Sequence, residues 1–542
     1  MAKKVFYDDD ARTRVLGGAE ALFNAVRVTM GPKGRNVVID KSYGGPSVTH
    51  DGVTVAEAVE LPDDDDETLG YKVGAELIKQ AASKMNKDAG DGTTTVTVLT
   101  YEILKEANKL IAAGHNPMDI RTGVEKAGHE IIAGLDKIAE PIKDKSDRVA
   151  EVATISAGSA EIGKLIADVI SKIGSDGIVT VEEGQGLDME SEVVEGFTFD
   201  KGYVSAYMAT DTNRMEAIYE KPAILITDKK ISSAQEFLPI LEKLAGAGKK
   251  DLILIAEDVE GEALGVLILN RLKGVFNTVA VKAPSFGDRR KEVLDDIAAL
   301  TDATVITEDQ GLTLDNVELD AIGTARKVIV SKDSTTIIEG AGKASEVKNR
   351  VSQIKTQAKN ASSDYDRENF EKRAAAIEGK VAVIKVGGAT ETEINEKKYR
   401  VDDAVAATKA ALDGGIVPGG GVTLVNLAGT IKSDEAGHQI VKSAMVRPFK
   451  QLMENAGLNA DAKLEKVQEA KDGQGFDVNS PDKLVDMKQA GIIDPAVVTR
   501  EAVQTAVSIA STAMTMGALV VEIPKPETEP AGPPMGGGMG MM

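Results

Sequence analysis

A run of two glycines, an aspartate and three threonines is the part of the chain best suited to bind phosphate. It reads Gly90-Asp91-Gly92-Thr93-Thr94-Thr95 and opens a stretch of helical spacing. Glycines let a ligand approach the backbone closely, and the free amides and hydroxyls of a first helical turn donate to phosphate oxygens. Asp91 could then hold Mg²⁺ against those phosphates. The same residues would also form a capped helix after a loop, so both interpretations stay open for this run alone.

Two other glycine-marked breaks and two carboxylates could join such a site. The breaks are Thr29-Met30-Gly31-Pro32 and Gly419-Gly420-Gly421, and the carboxylates are Asp51 and Asp403. Taken singly, each break is a turn, Asp51 is a turn former and Asp403 lies on a solvated helix face. No Gly-Lys-Ser/Thr follows the glycines, and no strand precedes a dinucleotide-type glycine pattern, so neither well-known nucleotide motif is present.

Other kinds of catalytic site find little support. The chain has no cysteine, which excludes disulfides, thiolate metal sites and cysteine nucleophiles. Its histidines show no pair at zinc-ligand spacing, and no Gly-x-Ser-x-Gly elbow occurs. The pattern favours neither proteolysis nor hydride transfer. The histidines are His50, His115, His129 and His438.

Length and charge limit the fold and the partners. A chain of 542 residues is too long for one core and suggests three or four domains. With 42% hydrophobic but only 4% aromatic residues, its cores must consist of aliphatic side chains. The net charge of −22 argues against a nucleic-acid partner or an anionic membrane, because like charges repel.

Two segments bear on targeting and membranes. The first residues carry two lysines but no apolar segment before the acidic residues, so a secretory signal is not expected and a cytoplasmic location is. The uncharged stretch Ala502–Val521 raises the question of a membrane span. Its threonines, serines and glycine favour a buried helix that runs into a short strand.

The hydrophobic pattern predicts a mostly helical first third and an alternating middle. Helical spacing indicates helices at 11–30, 67–87 and 93–113, with a strand at 36–40. In the middle, short apolar runs alternate with helical patterns, which predicts a parallel or mixed sheet with helices on its faces. The runs are Ala223–Thr227, Leu252–Ala256, Thr278–Lys282 and Thr304–Thr307, and the helical patterns are 231–245, 260–273 and 288–300.

The last third returns to the character of the first. The strand-like Val381–Val386 leads to alanine-rich helices such as Val401–Leu412. This return suggests that the middle is an inserted domain rather than one of several consecutive domains. The last residues, from 525 to 542, have too little apolar bulk to fold and are expected to form a disordered, Gly- and Met-rich tail.

Several segments in register resemble the signatures of group I chaperonins of the GroEL type. Their order and spacing cover almost the entire chain, and the glycine-methionine tail agrees with them. The segments are TMGPKGRNVVID (29–40), DAGDGTTTVTVL (88–99), AEDVEGEAL (256–264), VKAPSFGDRRKEVLDDIA (281–298), DYDRENFEKR (364–373), VAVIKVGGATETE (381–393) and VPGGGV (417–422).

The resemblance implies a multidomain α and α/β fold. A mostly helical equatorial ATP-binding domain would comprise 1–137 and 414–524, and a small α/β intermediate hinge domain 138–194 and 382–413. An inserted α/β apical domain, 195–381, would bind substrate and co-chaperonin. The implied function is ATP-dependent folding of non-native proteins inside a homo-oligomeric ring. The rings would have seven members, one or two stacked, and a GroES-type co-chaperonin as partner.

The resemblance also implies roles for residues in the nucleotide site. Asp51 and Asp403 would orient and polarise the attacking water, and Asp91 would coordinate Mg²⁺. The main chain at Thr29 and His50 would contact K⁺. His50 stands where many relatives have lysine. The residues implied to contact ATP are Thr29, Met30, Gly31, Pro32, His50, Asp91, Gly92, Thr93, Thr94, Thr95, Gly420 near the nucleoside, Asp477 near adenine and Asp494 at the ribose.

The implied substrate surface is apolar. By sequence alone these residues would be ordinary core, because apolar stripes at helical spacing usually pack inward. The helix at 260–273, however, is apolar almost all round, and a two-layer domain buries only one face of it, so some residues must stay exposed. The residues are Tyr203, Ser205, Tyr207, Met208, Leu238, Leu241, Leu264, Ile268 and Leu269.

Two other functions compete with the folding machine. An ATP-independent holdase or scaffold would keep the fold and lose turnover, but the presence of Asp51, Asp91 and Asp403 argues against it. A small-molecule phosphotransferase would need an acceptor pocket with a base. The missing P-loop lysine and the apolar helices of the middle third argue against that enzyme.

Overall fold

The computed structural model describes residues 3–40, 45–62, 67–143, 145–174, 177–184, 186–211, 215–308, 311–361 and 363–523. The predicted tail at 525–542 lies outside these residues. The chain forms two compact units. The first unit comprises the chain up to Asp168 and from Gly388 onward, and the second unit comprises Val169–Gly387.

Helices dominate the first unit and are interspersed with strands in the second. In the described ranges they are α1 (Asp8–Val26), α2 (Gly52–Ala58), α3 (Tyr71–Ala89), α4 (Thr93–Ala112), α5 (Pro117–Ile138), α6 (Ser146–Ala157), α7 (Ala160–Ile173), α8 (Leu238–Gly246), α9 (Gly261–Leu272), α10 (Asp288–Thr301), α11 (Ala344–Asn360), α12 (Asp364–Ile377), α13 (Glu391–Gly414), α14 (Val422–Thr430), α15 (Ala436–Met445), α16 (Arg447–Asn455), α17 (Ala460–Glu469) and α18 (Ala496–Met514).

The strands are mostly short in the first unit and longer in the second. They are β1 (Lys3–Tyr7), β2 (Val37–Ile39), β3 (Ser47–Thr49), β4 (Ile178–Glu183), β5 (Glu190–Phe199), β6 (Ala217–Glu220), β7 (Ala223–Thr227), β8 (Lys230–Ile231), β9 (Asp251–Ala256), β10 (Asp258–Val259), β11 (Asn277–Lys282), β12 (Val305–Ile306), β13 (Gly323–Val330), β14 (Thr335–Gly340), β15 (Lys380–Val386), β16 (Ile416–Pro418), β17 (Gln474–Gly475), β18 (Val485–Asp486), β19 (Ile493–Pro495) and β20 (Ala518–Glu522).

The first unit is built around α4, which packs against α1, α3, α5 and α18. Glycines in the left-handed region separate α3 from α4, because Gly90 has φ +67° and Gly92 has φ +82°. Such backbone angles suit glycine, which has no Cβ. Phe23 of α1 stacks on Tyr101 of α4 with ring centroids 4.2 Å apart. The core of this unit is otherwise mainly aliphatic, as the composition predicts.

The uncharged stretch near the end of the chain folds as predicted. Its first part belongs to α18, which contributes Ala502, Val503 and Ala506 to the core, and its last part belongs to β20. Strand β20 pairs antiparallel with β1, with Val5 opposite Val520. Among the residues described, none of the helices combines the length and apolar character that a membrane span requires.

Small antiparallel pairs fix loops at the ends of the helices of the first unit. Strands β2 and β3 form a hairpin that ends two residues before Asp51. Strand β16 pairs with β19, and this register sets Val417 opposite Asp494. The glycines that follow β16 therefore lie next to the carboxylate of Asp494.

The second unit contains a mixed sheet with helices packed on it. Its described strands follow the order β11-β9-β7-β13-β14-β5-β15-β4, with β12 beside β7 and β6 beside β13. Strands β11, β9, β7 and β12 run parallel, whereas β13, β14 and β5 pair antiparallel. The predicted mixed sheet is confirmed, and all four apolar runs of the middle third are strands within it.

One element of the middle third was predicted wrongly. The segment 231–245 was expected to be one helix, but it contains the end of β8, a 3₁₀ turn at Ala234–Glu236 and then α8. A capping box between Ser233 and Glu236 stabilises the start of the 3₁₀ turn, shortly after β8 ends at Ile231. Pro239 lies in the first turn of α8, where a proline is tolerated, so a second helix start replaces a continuous helix.

The predicted fold class, multidomain α and α/β, is confirmed. The first and last parts of the chain together form one unit, and the middle forms the other. The finer division into equatorial, intermediate and apical domains stays a prediction. Its intermediate segments, 138–194 and 382–413, are divided between the two units.

Candidate functional site

Two of the segments predicted to bind phosphate meet at the start of α4. Thr29 Oγ1 and Thr94 Oγ1 lie 3.0 Å apart and share a hydrogen bond, although 65 residues separate them in the sequence. Thr29 is buried, and its hydroxyl also donates to the carbonyl of Val26 at 2.9 Å. Thr93 is buried in the same helical turn, and Thr95 is half-buried. The hydroxyls therefore cluster beside the free amides of the first turn of α4.

Asp91 lies in the turn that precedes these amides. Its Oδ1 accepts the amide of Gly92 at 2.5 Å, and its Oδ2 accepts the hydroxyl of Ser156 at 3.1 Å. Burial raises the pKa of Asp91, and the charge of Asp51 raises it further, while the two hydrogen bonds oppose this. A buried carboxylate with a raised pKa favours a cationic partner.

Sequence analysis missed Ser156, which α6 carries to this carboxylate. The serine lies 65 residues from Asp91, and its segment carries no pattern that points to the phosphate-binding run. Only the packing of α6 within the first unit brings its hydroxyl to Asp91. No sequence pattern could have indicated the contact.

Asp51 begins α2 and lies beside the same threonines. Its carboxylate accepts the amides of Val53 at 3.2 Å and Thr54 at 2.9 Å, together with the Thr54 hydroxyl at 2.6 Å. The next residue, Gly52, packs tightly on α4, because a Cβ there would lie 2.4 Å from Thr94 Oγ1. The helix cap therefore fixes the Asp51 carboxylate next to the start of α4.

Helix α13 carries Asp403 to this region. On the same helix, Ala406 packs against Gly90, where a Cβ would lie 2.4 Å from Ala406 Cβ. Asp403 lies one turn earlier on the same face of the helix. Burial lowers the pKa of His50, and the nearby charge of Arg400 lowers it further, while Glu396 and Asp51 raise it. The face of α13 with Arg400 and Asp403 therefore borders both His50 and the Gly90 turn.

Asp494 lies near Asp91 and beside the Gly419–Gly421 loop. Its carboxylate accepts the amide of Gly420, which has φ +67°. Burial raises the pKa of Asp494 to about 7, and the charge of Asp91 contributes to the increase. A Cβ at Gly419 would lie 2.9 Å from Asp494 Oδ1, so this loop has no room for a larger residue. The structure therefore brings Asp91, Asp494 and the Gly419–Gly421 loop together.

The other predicted contacts differ in their surroundings. Met30 is buried and Gly31 has φ +80°. Pro32 is exposed, so the turn runs from the core at Met30 to the surface at Pro32. Asp477 lies in a separate turn after β17, where its carboxylate accepts the amide of Asn479 at 2.9 Å.

The carboxylates near α4 do not form a ready-made metal cage. In the described part of the chain, no three His, Cys, Asp or Glu side chains group closely enough to hold a metal ion. Any cation beside Asp91 would therefore take further oxygens from a ligand or from water. This requirement agrees with Mg²⁺, which keeps few protein ligands in phosphate sites.

The predicted substrate residues all lie in the second unit and differ in exposure. Tyr207 is 72% exposed, Leu269 is 55% exposed and Leu238 is also exposed. Met208 and Leu241 are buried in the core of this unit, so their side chains are not part of the exposed surface. The half-buried members are Tyr203, Ser205, Leu264 and Ile268.

Sequence analysis missed neighbours that extend this apolar surface. Leu272, at the end of α9, is 69% exposed, and Val275 is exposed in the following turn. Arg271 donates to the carbonyl of Tyr207 at 3.0 Å and to that of Ala209, which ties α9 to the 3₁₀ turn at Ala206–Met208. The sequence could have indicated Leu272, since the apolar positions of α9 continue to its last residue.

Comparison with known families gives one match that spans most of the chain. The sequence model of the TCP-1/cpn60 chaperonin family matches residues 22–524. The matched range includes every residue assigned above to the site at the start of α4 and to the exposed apolar surface.

Proposed function

Since the chain belongs to the TCP-1/cpn60 chaperonin family and is therefore a protein-folding chaperone, we propose that it is an ATP-hydrolysing chaperonin of the group I, GroEL type. Proteins of this family form rings and bind non-native polypeptides. The observation that carries the proposal is the contact of Thr29 with Thr94 at the start of α4, beside Asp91 and Asp51.

The triphosphate would bind at the amino-terminal end of α4. This helix has 20 residues, and its first amides have no partner within the helix, so they attract anionic oxygens. The threonine hydroxyls beside these amides add polar contacts for the phosphate oxygens. The residues proposed to surround the phosphates are Thr29, Met30, Gly31, Pro32, Asp91, Gly92, Thr93, Thr94 and Thr95.

Asp91 would hold Mg²⁺ in this site. Burial disfavours its negative charge, and a bound cation would offset that cost. Ser156 and Gly92 each bond one carboxylate oxygen, which fixes its orientation and leaves lone pairs for a cation. When bound, Mg²⁺ would neutralise charge on the phosphate oxygens.

Asp51 and Asp403 would prepare the attacking water. Asp51 is held rigidly by the α2 cap, and the acceptor position that its three hydrogen bonds leave on Oδ1 could accept from a water in one orientation. Asp403 comes from α13 and would polarise the same water as a general base. Asp51 belongs to a rigid helix cap, whereas Asp403 belongs to a helix from a distant segment of the chain. Hydrolysis would therefore depend on the position of α13.

The nucleoside and K⁺ would occupy the edges of the site. Gly420 would contact the nucleoside, Asp494 would bind the ribose and Asp477 would lie near adenine. The main chain at Thr29 and His50 would contact K⁺. Burial lowers the pKa of His50 below its ordinary value, which favours the neutral imidazole, and a neutral ring does not repel the cation.

The exposed apolar surface of the second unit would bind non-native chains. Tyr207, Leu238 and Leu269 offer apolar area, and the hydrophobic effect is non-directional, so one surface can serve many sequences. The mobile loop of a GroES-type co-chaperonin would compete for this surface. We also propose rings of seven subunits, one or two stacked, and a cytoplasmic location.

The test is steady-state ATP hydrolysis by the wild-type protein and by Asp403→Ala, with particle size measured by light scattering in the same buffer. Asp413→Ala is the matched control, because Asp413 is an exposed aspartate ten residues further along α13. We expect the wild type and Asp413→Ala to hydrolyse ATP as large rings. Asp403→Ala should bind ATP but hydrolyse it about 100-fold more slowly.

Two results would contradict the proposal. A wild-type protein that forms rings but does not hydrolyse ATP with Mg²⁺ and K⁺ present would be an ATP-independent holdase. If the wild type and Asp403→Ala are both small particles and hydrolyse ATP equally fast, catalysis takes place at another site.

A further inference from the structure

Helix α16 packs against two of the loops that carry proposed nucleotide contacts, those of Gly31 and Gly421. A Cβ at Gly31 would lie 2.1 Å from Leu452 Cδ2, and a Cβ at Gly421 would lie 2.8 Å from the backbone nitrogen of Phe449. Both glycines also have positive φ, +80° and +75°. The helix therefore abuts the two loops so closely that neither position accommodates a side chain.

Asn455, at the end of α16, bonds directly to the first of these loops. Its Nδ2 donates to the carbonyl of Arg27 at 3.0 Å and to that of Met30 at 2.9 Å. These carbonyls flank Thr29, the residue that bonds Thr94 at the start of α4. One amide group thus fixes both ends of the turn whose centre reaches the proposed phosphate site.

A buried side chain orients the amide of Asn455. Gln451 is fully buried, and its Nε2 donates to Asn455 Oδ1 at 2.8 Å. In turn, Arg447 Nη2 donates to Gln451 Oε1 at 2.8 Å. Because this chain of hydrogen bonds runs in one direction, the donor end of the Asn455 amide must face the turn.

We propose that α16 is a common support for the two nucleotide loops and that Asn455 is the positioning residue for the phosphate-binding turn. This inference rests on the proposed nucleotide site. Asn455 acts through the backbone of Arg27–Met30 and touches neither phosphate nor nucleoside. Its loss should therefore weaken binding of the phosphates and leave binding of the nucleoside unchanged, because the Gly419–Gly421 loop packs on Phe449 instead.

The experiment measures the affinity of the full-length protein for ADP and for adenosine, both with Mg²⁺, in the wild type and Asn455→Asp. Aspartate has nearly the same shape and still accepts from Gln451, but it lacks the two donors and sets a negative charge against two carbonyls. We expect ADP to bind about tenfold more weakly and adenosine to bind as in the wild type.

Two further variants make the result specific. Asn459→Ala is the matched control, because Asn459 caps α17 four residues later and bonds the amide of Ala462; its ratio of ADP to adenosine affinity should equal that of the wild type. Leu452→Ala removes the packing on Gly31 and keeps Asn455, so it tests the support if Asn455→Asp does not fold. We expect about threefold weaker ADP binding and unchanged adenosine binding.

The outcomes separate this inference from the proposed function. If Asn455→Asp folds and binds both ligands as the wild type does, or loses both equally, the positioning role is wrong. If Leu452→Ala keeps its affinity for ADP, the proposed support of this turn by the packing of α16 is wrong. If the wild type itself binds neither ligand, the proposed nucleotide site is wrong, and the role of Asn455 with it.

Discussion

The site at the start of α4 and the apolar surface of the second unit are built in opposite ways. The first gathers polar side chains from distant segments, such as Thr29, Thr94 and Ser156, and fixes each with hydrogen bonds of defined geometry. The second exposes apolar side chains from two helices and one short turn, among them Tyr207, Leu238 and Leu269. Polar geometry tolerates little change, whereas apolar area is roughly additive.

This difference predicts how each region responds to substitution. In the first unit, a substitution that removes one charge or one hydrogen bond should strongly reduce ATP hydrolysis. In the second unit, removal of one exposed side chain should lower binding by only a fraction. The following predictions test the contrast, from the largest expected effect to the smallest.

Asp91→Asn should give the largest effect, in two opposite directions. We expect ATP hydrolysis to fall about 100- to 1,000-fold, because the charge that would hold Mg²⁺ is lost. Without nucleotide the folded protein should become more stable, since burial and Asp51 disfavour the Asp91 charge. Activity assays and urea unfolding measure the two effects.

The control for that substitution is Asp88→Asn, three residues earlier on α3 and exposed to solvent. It should leave hydrolysis unchanged. A variant Asp91→Asn with unchanged hydrolysis would show that the carboxylate has no part in the reaction.

The stability of the nucleotide-free protein should depend on the ionisation of Asp494. Its pKa rises from 3.8 to about 7 on folding, so between these values the folded protein holds a proton that the unfolded chain has lost. Stability should therefore fall as the pH rises from about 4 to about 7 and then level off. We expect the free energy of unfolding to fall by a few kcal/mol over this range, since one pKa unit corresponds to about 1.4 kcal/mol.

Urea unfolding over this pH range measures the effect in the wild type and in Asp494→Asn. The variant should show a flatter pH dependence, whereas Asp486→Asn, at an exposed position, should follow the wild type. Identical slopes in all three proteins would contradict the assignment to Asp494.

Gly52→Ala should disturb the site through packing alone. Its Cβ would lie 2.4 Å from Thr94 Oγ1 and 2.9 Å from Thr93 Oγ1, so these hydroxyls must shift and the bond between Thr29 and Thr94 is disturbed. We expect about tenfold slower hydrolysis and about 1–3 kcal/mol lower stability. Gly45→Ala is the control, because a Cβ there has open space. Equal activity of the two variants would show that the threonine pair is not needed.

The smallest effect is expected at Leu269 on α9. Leu269→Ala should change the free energy of unfolding by less than about 0.5 kcal/mol and weaken capture of a denatured protein only about two- to fivefold. Leu267→Ala is the matched comparison, because Leu267 is buried two residues away. This variant should lose about 2–5 kcal/mol of stability. If Leu269→Ala weakened capture of the denatured protein as strongly as Asp91→Asn slows hydrolysis, the contrast between the two regions would be wrong.

Much of the secondary structure follows from local pattern. The helix predicted at 93–113 is found at Thr93–Ala112, because two glycines and a polar first turn mark its start. The uncharged stretch from Ala502 divides into helix and strand as its threonines and serines indicate. The prediction of one helix over 231–245 was wrong. Apolar spacing alone favours a continuous helix there, but a serine caps a separate 3₁₀ turn and a proline marks the start of α8.

The sequence by itself determined the types of residue available for chemistry, the glycines at the turns, the alternating middle third and the family. Tertiary structure alone decided which of these residues meet. Thr29 and Thr94 are 65 residues apart, as are Asp91 and Ser156, and Asn455 lies more than 400 residues from Met30. Local pattern carries no information on such pairs, because they form only when helices that are distant in the sequence pack into one core.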